Sequence, residues 1–471
     1  MKKALGVYVV IIILISVMPI LGEATNYEKM DKTVRKNVES GLSNIDVIIE
    51  FYELDDSSRA LISKEKIINE FIELNSIHAI LSADEIKNMS SSQYVKNIWH
   101  NSSRLTLFDT ITFSSEDHIV VNGFMGTDTI NASPLYQIGY RGSGVTVAVL
   151  DTGIRETHVE FPNGKILYQY DFVNNDSVAE DNNGHGTFVS GIISGQAYTT
   201  ADWAGYYDFV DTTPTNTMGV SPGSKLVILK IIENDQGTLS DYLEACNWLI
   251  ANKNTYNIRV VNMSAGWDVD LMILSGWPLD GTDPASMAAN SVVNKGIVWV
   301  NAAGNSGPSP DTIGAPARAK NVITVANAID RTVASNGMII IKRAPISIAN
   351  DSSRGGVYSG FKPDVSAPGT QIMSSFISHD YDYALASGTS FSAPFVAGSA
   401  AILIQRHPNW TPYQVKIALM RTATPISGAS VYEQGAGLVN VNRAFSYRQD
   451  FERAAVIGKV IAILKKNKEN N

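Results

Sequence analysis

Three side chains of complementary chemistry stand where contrasting segments meet. Asp151 closes VTVAVLD, His185 lies between two glycines in NNGHGTFVSG, and Ser390 opens the apolar run in ASGTSFSAPFVAG. A serine hydroxyl is a weak nucleophile until a base within hydrogen-bond reach takes its proton, and that base needs a third group to orient it. Histidine is the usual base, and a buried carboxylate can fix its tautomer and stabilise the imidazolium that forms. Ser390 is preferred over Ser387 and Ser392 because it falls at an expected helix start, where its backbone N–H has no partner within the helix and can face a developing oxyanion. Asn305, ending VWVNAAGN, would add a side-chain N–H to the same hole. Gly184 and Gly186 give the backbone room beside the imidazole, and Gly388 gives a substrate room beside the serine. Taken alone, the segment around Ser390 reads equally well as an ordinary capped helix start with Pro394 in its first turn.

The elements around these residues have a definite pattern. From about residue 140, short β-branched runs (VTVAVL, KLVILKI, IRVVNM, GIVWVN, NVITVA) alternate with helical patterns (GTFVSGIISG, SDYLEACNWLIAN, DPASMAANSVVNK and the run after Ser390). This predicts an α/β fold, a doubly wound and mostly parallel sheet with helices on both faces. Ligands of such sheets sit beyond the carboxyl ends of the strands. Asp151, Ser264-Ala265-Gly266 and Asn305 all follow strands and so share one edge. Upstream, IDVIIEF and SIHAILSA read as strands, SRALISKEKIINEFIEL and DEIKNMSSSQYVKN as helices, and IWHNSSRLTLF as extended chain, which makes a small α+β domain. The expected organisation is a leader at residues 1–24, this α+β domain at 25–118, the main domain at 119–450 and a tail at 451–471.

Lys2-Lys3, an apolar run from Ala4 to Leu21 and Gly22-Glu23-Ala24 have the layout of a secretory signal peptide, so an exported protein is expected; an uncleaved run would be a membrane anchor. A single cysteine, Cys246, leaves no internal disulfide, and its helical context reads as a buried small hydrophobe. The net charge of -9 excludes nucleic acid as an expected partner, since phosphate binding needs a basic surface. A monomer is expected.

DTG at Asp151, NGHGT around His185, AAGN ending at Asn305 and GTSFSAP around Ser390 together resemble the subtilisin-like serine proteases, or subtilases. GVSPGSKL, VNMSAG, SSRGG, KPDVSAPG and GAGLVNV match in order, so the resemblance runs from about Tyr140 to Phe445. It implies Asp151 as orienting acid, His185 as general base, Ser390 as nucleophile and Asn305 as oxyanion donor, in an endopeptidase acting on proteins or peptides. It implies that Ser264, Ala265 and Gly266 bind substrate backbone as an added strand. Ala302, Ala303 and Gly304 would line the primary specificity pocket. Residues 25–118 would be an inhibitory propeptide, an intramolecular partner cut away between about Leu107 and Met125. No cofactor is required for the chemistry.

Two rivals remain from the residues. An aspartic protease would need a second DTG or DSG beside Asp151-Thr152-Gly153, and none exists. A catalytically silent binding module would not need all four positions filled with competent residues. Transfer of the acyl group to an amine instead of water is also open. The stretch QAYTTADWAGYYDFVDTTPTNTM departs from the compact family pattern; Asp202, Asp208 and Asp211 are candidate ligands for a structural calcium there, against a solvated loop. NGMIIIKRAPISIAN reads as an extra strand pair.

Overall fold

The computed structural model describes residues 25–101, 104–107, 126–196, 218–330, 332–335, 338–343 and 345–448. The leader, the stretch between Leu107 and Gly126, the three aspartates Asp202, Asp208 and Asp211, and the tail lie outside the described residues. Chain contacts divide the protein into a unit ending at Ser102 and a larger one starting at Ser103.

In the smaller unit, β1 (Ile45–Phe51), β2 (Ile67–Phe71), β3 (Ser76–Leu81) and β4 (Val95–His100) form an antiparallel sheet in the order β2-β3-β1-β4. Helices Lys32–Glu39 and Ala83–Ser91 place Val34, Val38, Ile86 and Met89 in one apolar cluster with Val47 and Ile49. This is the expected α+β unit, with two corrections. SRALISKEKIINEFIEL is not one helix: it takes in the end of a single turn at Asp56–Arg59, a 3-10 turn at Lys64–Lys66, then β2 and a second 3-10 turn at Ile72–Leu74. Its β-branched Ile67-Ile68 pair favours extended backbone, and the hairpin to β3 through Asn75, at φ 52°, supplies ladder bonds that a helix there would forgo. DEIKNMSSSQYVKN stays helical only to Ser91, and Val95 already belongs to β4.

The larger unit begins with β5 (Thr106–Leu107). Its main sheet comprises β6 (Thr146–Asp151), β7 (Ile166–Asp171), β8 (Lys225–Lys230), β9 (Ile258–Met263), β11 (Val298–Ala302), β12 (Ile323–Ile329), β15 (Ser347–Ile348) and β16 (Val365–Pro368), while β10 (Ala265–Gly266) pairs with β5. Seven strands run parallel in the order β16-β12-β11-β9-β6-β8-β7, and β15 joins β12 antiparallel. All six residues of β6 are buried, as a strand covered on both faces requires. The chain leaves β6 for β7 and β8 on one side and resumes with β9 on the other, so the strand order reverses at β6. That reversal opens a crevice at the carboxyl ends of β6 and β9.

Helices His185–Ser194 and Thr389–Arg406 pack against each other and against this sheet. The insertion NGMIIIKRAPISIAN forms strands, but not as one internal pair. β14 (Met338–Arg343) pairs with the preceding β13 (Thr332–Ser335), and β15 extends the main sheet. Among the described residues no helix is long and apolar enough to cross a membrane.

Candidate active site

Asp151 is the last residue of β6 and His185 the first of its helix, and both side chains are wholly buried. His185 Nδ1 lies 2.7 Å from Asp151 Oδ1, which also accepts the Thr152 N–H at 2.8 Å. A carboxylate against Nδ1 holds the proton there and leaves Nε2 as the basic nitrogen. The two segments fit closely because they meet at glycines: a Cβ on Gly186 would stand 2.2 Å from the Gly153 carbonyl oxygen.

Asp181, which the sequence reading passed over, organises this junction. Its Oδ1 accepts Thr152 Oγ1 and the N–H groups of Asn183 and Gly184, and its Oδ2 accepts Thr187 N and Oγ1, at 2.6 to 3.1 Å. Thr152 Oγ1 in turn accepts the Gly186 N–H at 2.9 Å. One carboxylate thus ties the residue after Asp151 to both sides of His185. The signal for it was present, since Asp-Asn-Asn-Gly is a run in which an Asp side chain caps its own turn.

Ser390 is the second residue of helix Thr389–Arg406, after Gly388 at φ 150°, and is fully buried. Pro394 sits in the second turn, not the first. Lacking an N–H, it cannot bond the Ser390 carbonyl four residues back. That carbonyl instead accepts Ser264 Oγ at 2.8 Å, while Ser390 Oγ donates to the Ser264 carbonyl at 2.9 Å. This reciprocal pair clamps the helix start to the chain leaving β9. The Phe391 ring lies 5.5 Å from the His185 ring and 4.7 Å from that of Phe188, an apolar wall beside the imidazole.

Asn305 follows β11, and its Oδ1 accepts both Thr389 N at 3.0 Å and Thr389 Oγ1 at 2.9 Å. The Gly304 N–H donates to the same hydroxyl, so the end of β11 is pinned beside Ser390. Ala302 and Ala303 are fully buried, and Gly304 follows them at φ 101°.

Ala265 and Gly266 form β10, whose antiparallel partner is a segment of this chain: Leu107 faces Ala265 and Thr106 faces Gly266. On the other side Leu105 exchanges two backbone bonds with Gly237, at 2.9 and 3.0 Å, and its side chain is fully buried. Leu105 to Leu107 is therefore the middle strand of a short three-stranded ladder running toward Ser390. Cys246 takes no part; it is buried in the helix Leu239–Asn252, and burial pushes its thiol pKa up. Among the described residues no group of three His, Cys, Asp or Glu side chains is placed to hold a metal ion.

A profile described as the subtilase family matches residues 142–445. A thermostable alkaline protease of Halalkalibacterium halodurans is 31% identical over 379 residues, covering 80% of this chain and 85% of that protein. Subtilisin DY of Bacillus licheniformis is 31% identical over 322 residues, covering 68% of this chain and 97% of its own. Among solved structures, fervidolysin of Fervidobacterium pennivorans, a keratinolytic enzyme related to subtilisin, superposes with a TM-score of 0.65 at 21% identity, over 87% of this chain and 62% of that one.

Proposed function

The chain belongs to the subtilase family of serine proteases, and we propose that it is an exported endopeptidase made as a self-processed zymogen, with Ser390 forming the acyl-enzyme. The observation that carries the catalytic assignment is the buried Asp151–His185 pair at 2.7 Å, at the same sheet edge as the start of the Ser390 helix. In this reading His185 Nε2 takes the Ser390 hydroxyl proton as Oγ attacks a peptide carbonyl, then passes it to the leaving amine. Water, activated by the same imidazole, hydrolyses the ester.

The Ser390 backbone N–H and Asn305 Nδ2 stabilise the tetrahedral oxyanion. The hold of Thr389 on Asn305 Oδ1 supports this role, because it turns the amide nitrogen away from Thr389. Ser264, Ala265 and Gly266 take the substrate backbone as an added strand, and the pairing of β10 with β5 supports that use of the edge. Ala302, Ala303 and Gly304 leave space for the side chain before the scissile bond. Residues 25–118 act as the propeptide, and the apolar N-terminal run directs export.

The test is Ser390→Ala in the full-length chain. Loss of peptide cleavage together with accumulation of unprocessed precursor is expected. A mature-sized product from this variant contradicts self-processing, and retained peptidase activity contradicts the nucleophile.

A further inference from the structure

We propose that Lys230 is a positioning residue for the reaction: its buried ammonium sets the spacing between the loop that carries His185 and the hairpin that holds the substrate strand. This rests on the reading of Ser390 as nucleophile and of β10 as the substrate edge, and adds a residue that touches neither.

Lys230 closes β8, one strand over from Asp151. The two residues stand opposite each other in the parallel register, and the Ile231 N–H donates to the Asp151 carbonyl at 3.0 Å. The lysine backbone is therefore fixed in the frame of the orienting acid. Its side chain is 2% exposed. Three segments meet at Nζ, as many as an ammonium has N–H donors. It donates to the Glu180 carbonyl at 2.8 Å, pairs with the Glu233 carboxylate and lies 3.5 Å from Asp171 Oδ2 at the end of β7.

Each partner leads to a working part of the site. Glu180 immediately precedes Asp181, the carboxylate that ties down both sides of His185. Glu233 opens a hairpin: it exchanges two backbone bonds with Gln236, at 2.9 and 3.0 Å, around Asn234 at φ 49° and Asp235 at φ 60°, the left-handed pair of a type I′ turn. Gly237, the next residue, is the ladder partner of Leu105. One arm of the lysine thus reaches toward the base and another toward the substrate strand.

Direct packing does not set this spacing. A cavity of about 220 Å³ lies between the two segments, lined by Asn182 and Asn183 from the loop and by Ile232, Glu233 and Asp235 from the hairpin. Asn183 Nδ2 to Asp235 Oδ1 at 2.7 Å and Asn182 Nδ2 to Glu233 Oε1 at 3.4 Å cross it in exposed positions, where water competes for the same groups. The buried ammonium is the stiffer connection, because breaking a buried ion pair leaves a charge without a partner.

The experiment is Lys230→Met, which keeps the reach of the side chain and removes its charge and its donors. Peptide substrates with acyl parts from dipeptidyl to hexapeptidyl are compared, with rates expressed per active site by fluorophosphonate titration so that misfolded protein is not counted. The native chain should gain in kcat/KM once the acyl part is long enough to pair with Gly237. In Lys230→Met, kcat on the shortest substrate should fall about tenfold or more, the scale of a small misplacement of a catalytic group. The gain from the longer acyl part should shrink about fivefold, the worth of one weakened hydrogen bond. Glu233→Gln loosens only the arm to the hairpin, so it should lose part of the gain with a smaller drop in kcat, and it carries the test if Lys230→Met gives no titratable site. Either quantity unchanged in Lys230→Met, or an unchanged gain in Glu233→Gln, overturns the proposal. A native chain that cleaves nothing, or gains nothing from length, contradicts the underlying reading of the site instead, so the two failures are distinguishable.

Discussion

His185 Nδ1 and Asp151 Oδ1 stand 2.7 Å apart at the carboxyl end of the strand where the sheet order reverses, and neither side chain reaches solvent. An uncharged amide at position 151 would accept the same bond only by losing the charge that stabilises imidazolium, and it can rotate to present a donor. Asp151→Asn is expected to lower kcat by about 10⁴ with little change in KM, the size seen when a triad aspartate is so replaced. Steady-state kinetics on the purified variant check this, and a loss under tenfold would remove Asp151 from the mechanism.

Asp181 never touches the substrate in this account; it positions His185. Asp181→Ala strands five donors and loosens the loop, so kcat should drop about 10²-fold while KM moves much less. Asp181→Asn keeps one acceptor oxygen and should recover part of that loss. Equal activity of all three proteins, at equal thermal stability, would show that the network does not set the imidazole's position.

Asn305→Ala removes one oxyanion donor. The expected cost is about 10² to 10³ in kcat with KM nearly unchanged, the magnitude established for loss of one such donor in subtilisin itself. Thr389→Val, which removes the hydroxyl holding Asn305 Oδ1, should give a smaller loss of the same kind. A rate unaffected by Asn305→Ala would contradict its role.

A separate prediction concerns pH and stability. Asp283 caps the helix Pro284–Asn294 through Oδ1, 2.8 Å from the Ser286 N–H, while its buried Oδ2 has no partner among the described residues. Burial raises its pKa to about 6, against the opposing pull of the Ser286 bonds and the Arg318 charge. Between about pH 4 and 6 the folded chain keeps a proton that the unfolded chain has lost, so this group's contribution to stability falls as pH rises through that window and stays reduced above it. The full cost is about 3 kcal/mol from the size of the shift. Asp283→Asn keeps the cap without the ionisation, so it should raise the melting temperature at pH 8 and leave it nearly unchanged at pH 4, in scanning calorimetry of the Ser390→Ala chain. A uniform effect at both pH values would contradict the assignment.

Much of this was legible in the sequence because the pattern and the chemistry agree. The continuous apolar run before Asp151 could only be an interior strand, and the helices beginning at His185 and Thr389 follow from glycines placed just before them. The edge strand β7, whose residues are mostly half-buried, and the four-residue β16 carried no such periodic signal and were missed. The misread helix upstream of β3 shows the limit of local pattern, since Ile67–Phe71 becomes a strand only through its partner. Asp181 was overlooked because three of its five bonds are to backbone N–H groups, which sequence spells weakly. The exchange between Ser264 and Ser390 was equally hidden, for it depends on Pro394 withholding one N–H from across a helical turn.

The most direct measurement is covalent labelling of the processed protein with a serine-directed fluorophosphonate, with the adduct located by peptide mass spectrometry. The account predicts one modified residue, Ser390, and loss of labelling in His185→Ala. An unlabelled protein that still cleaves peptides, or a stable adduct on a different serine, would contradict it.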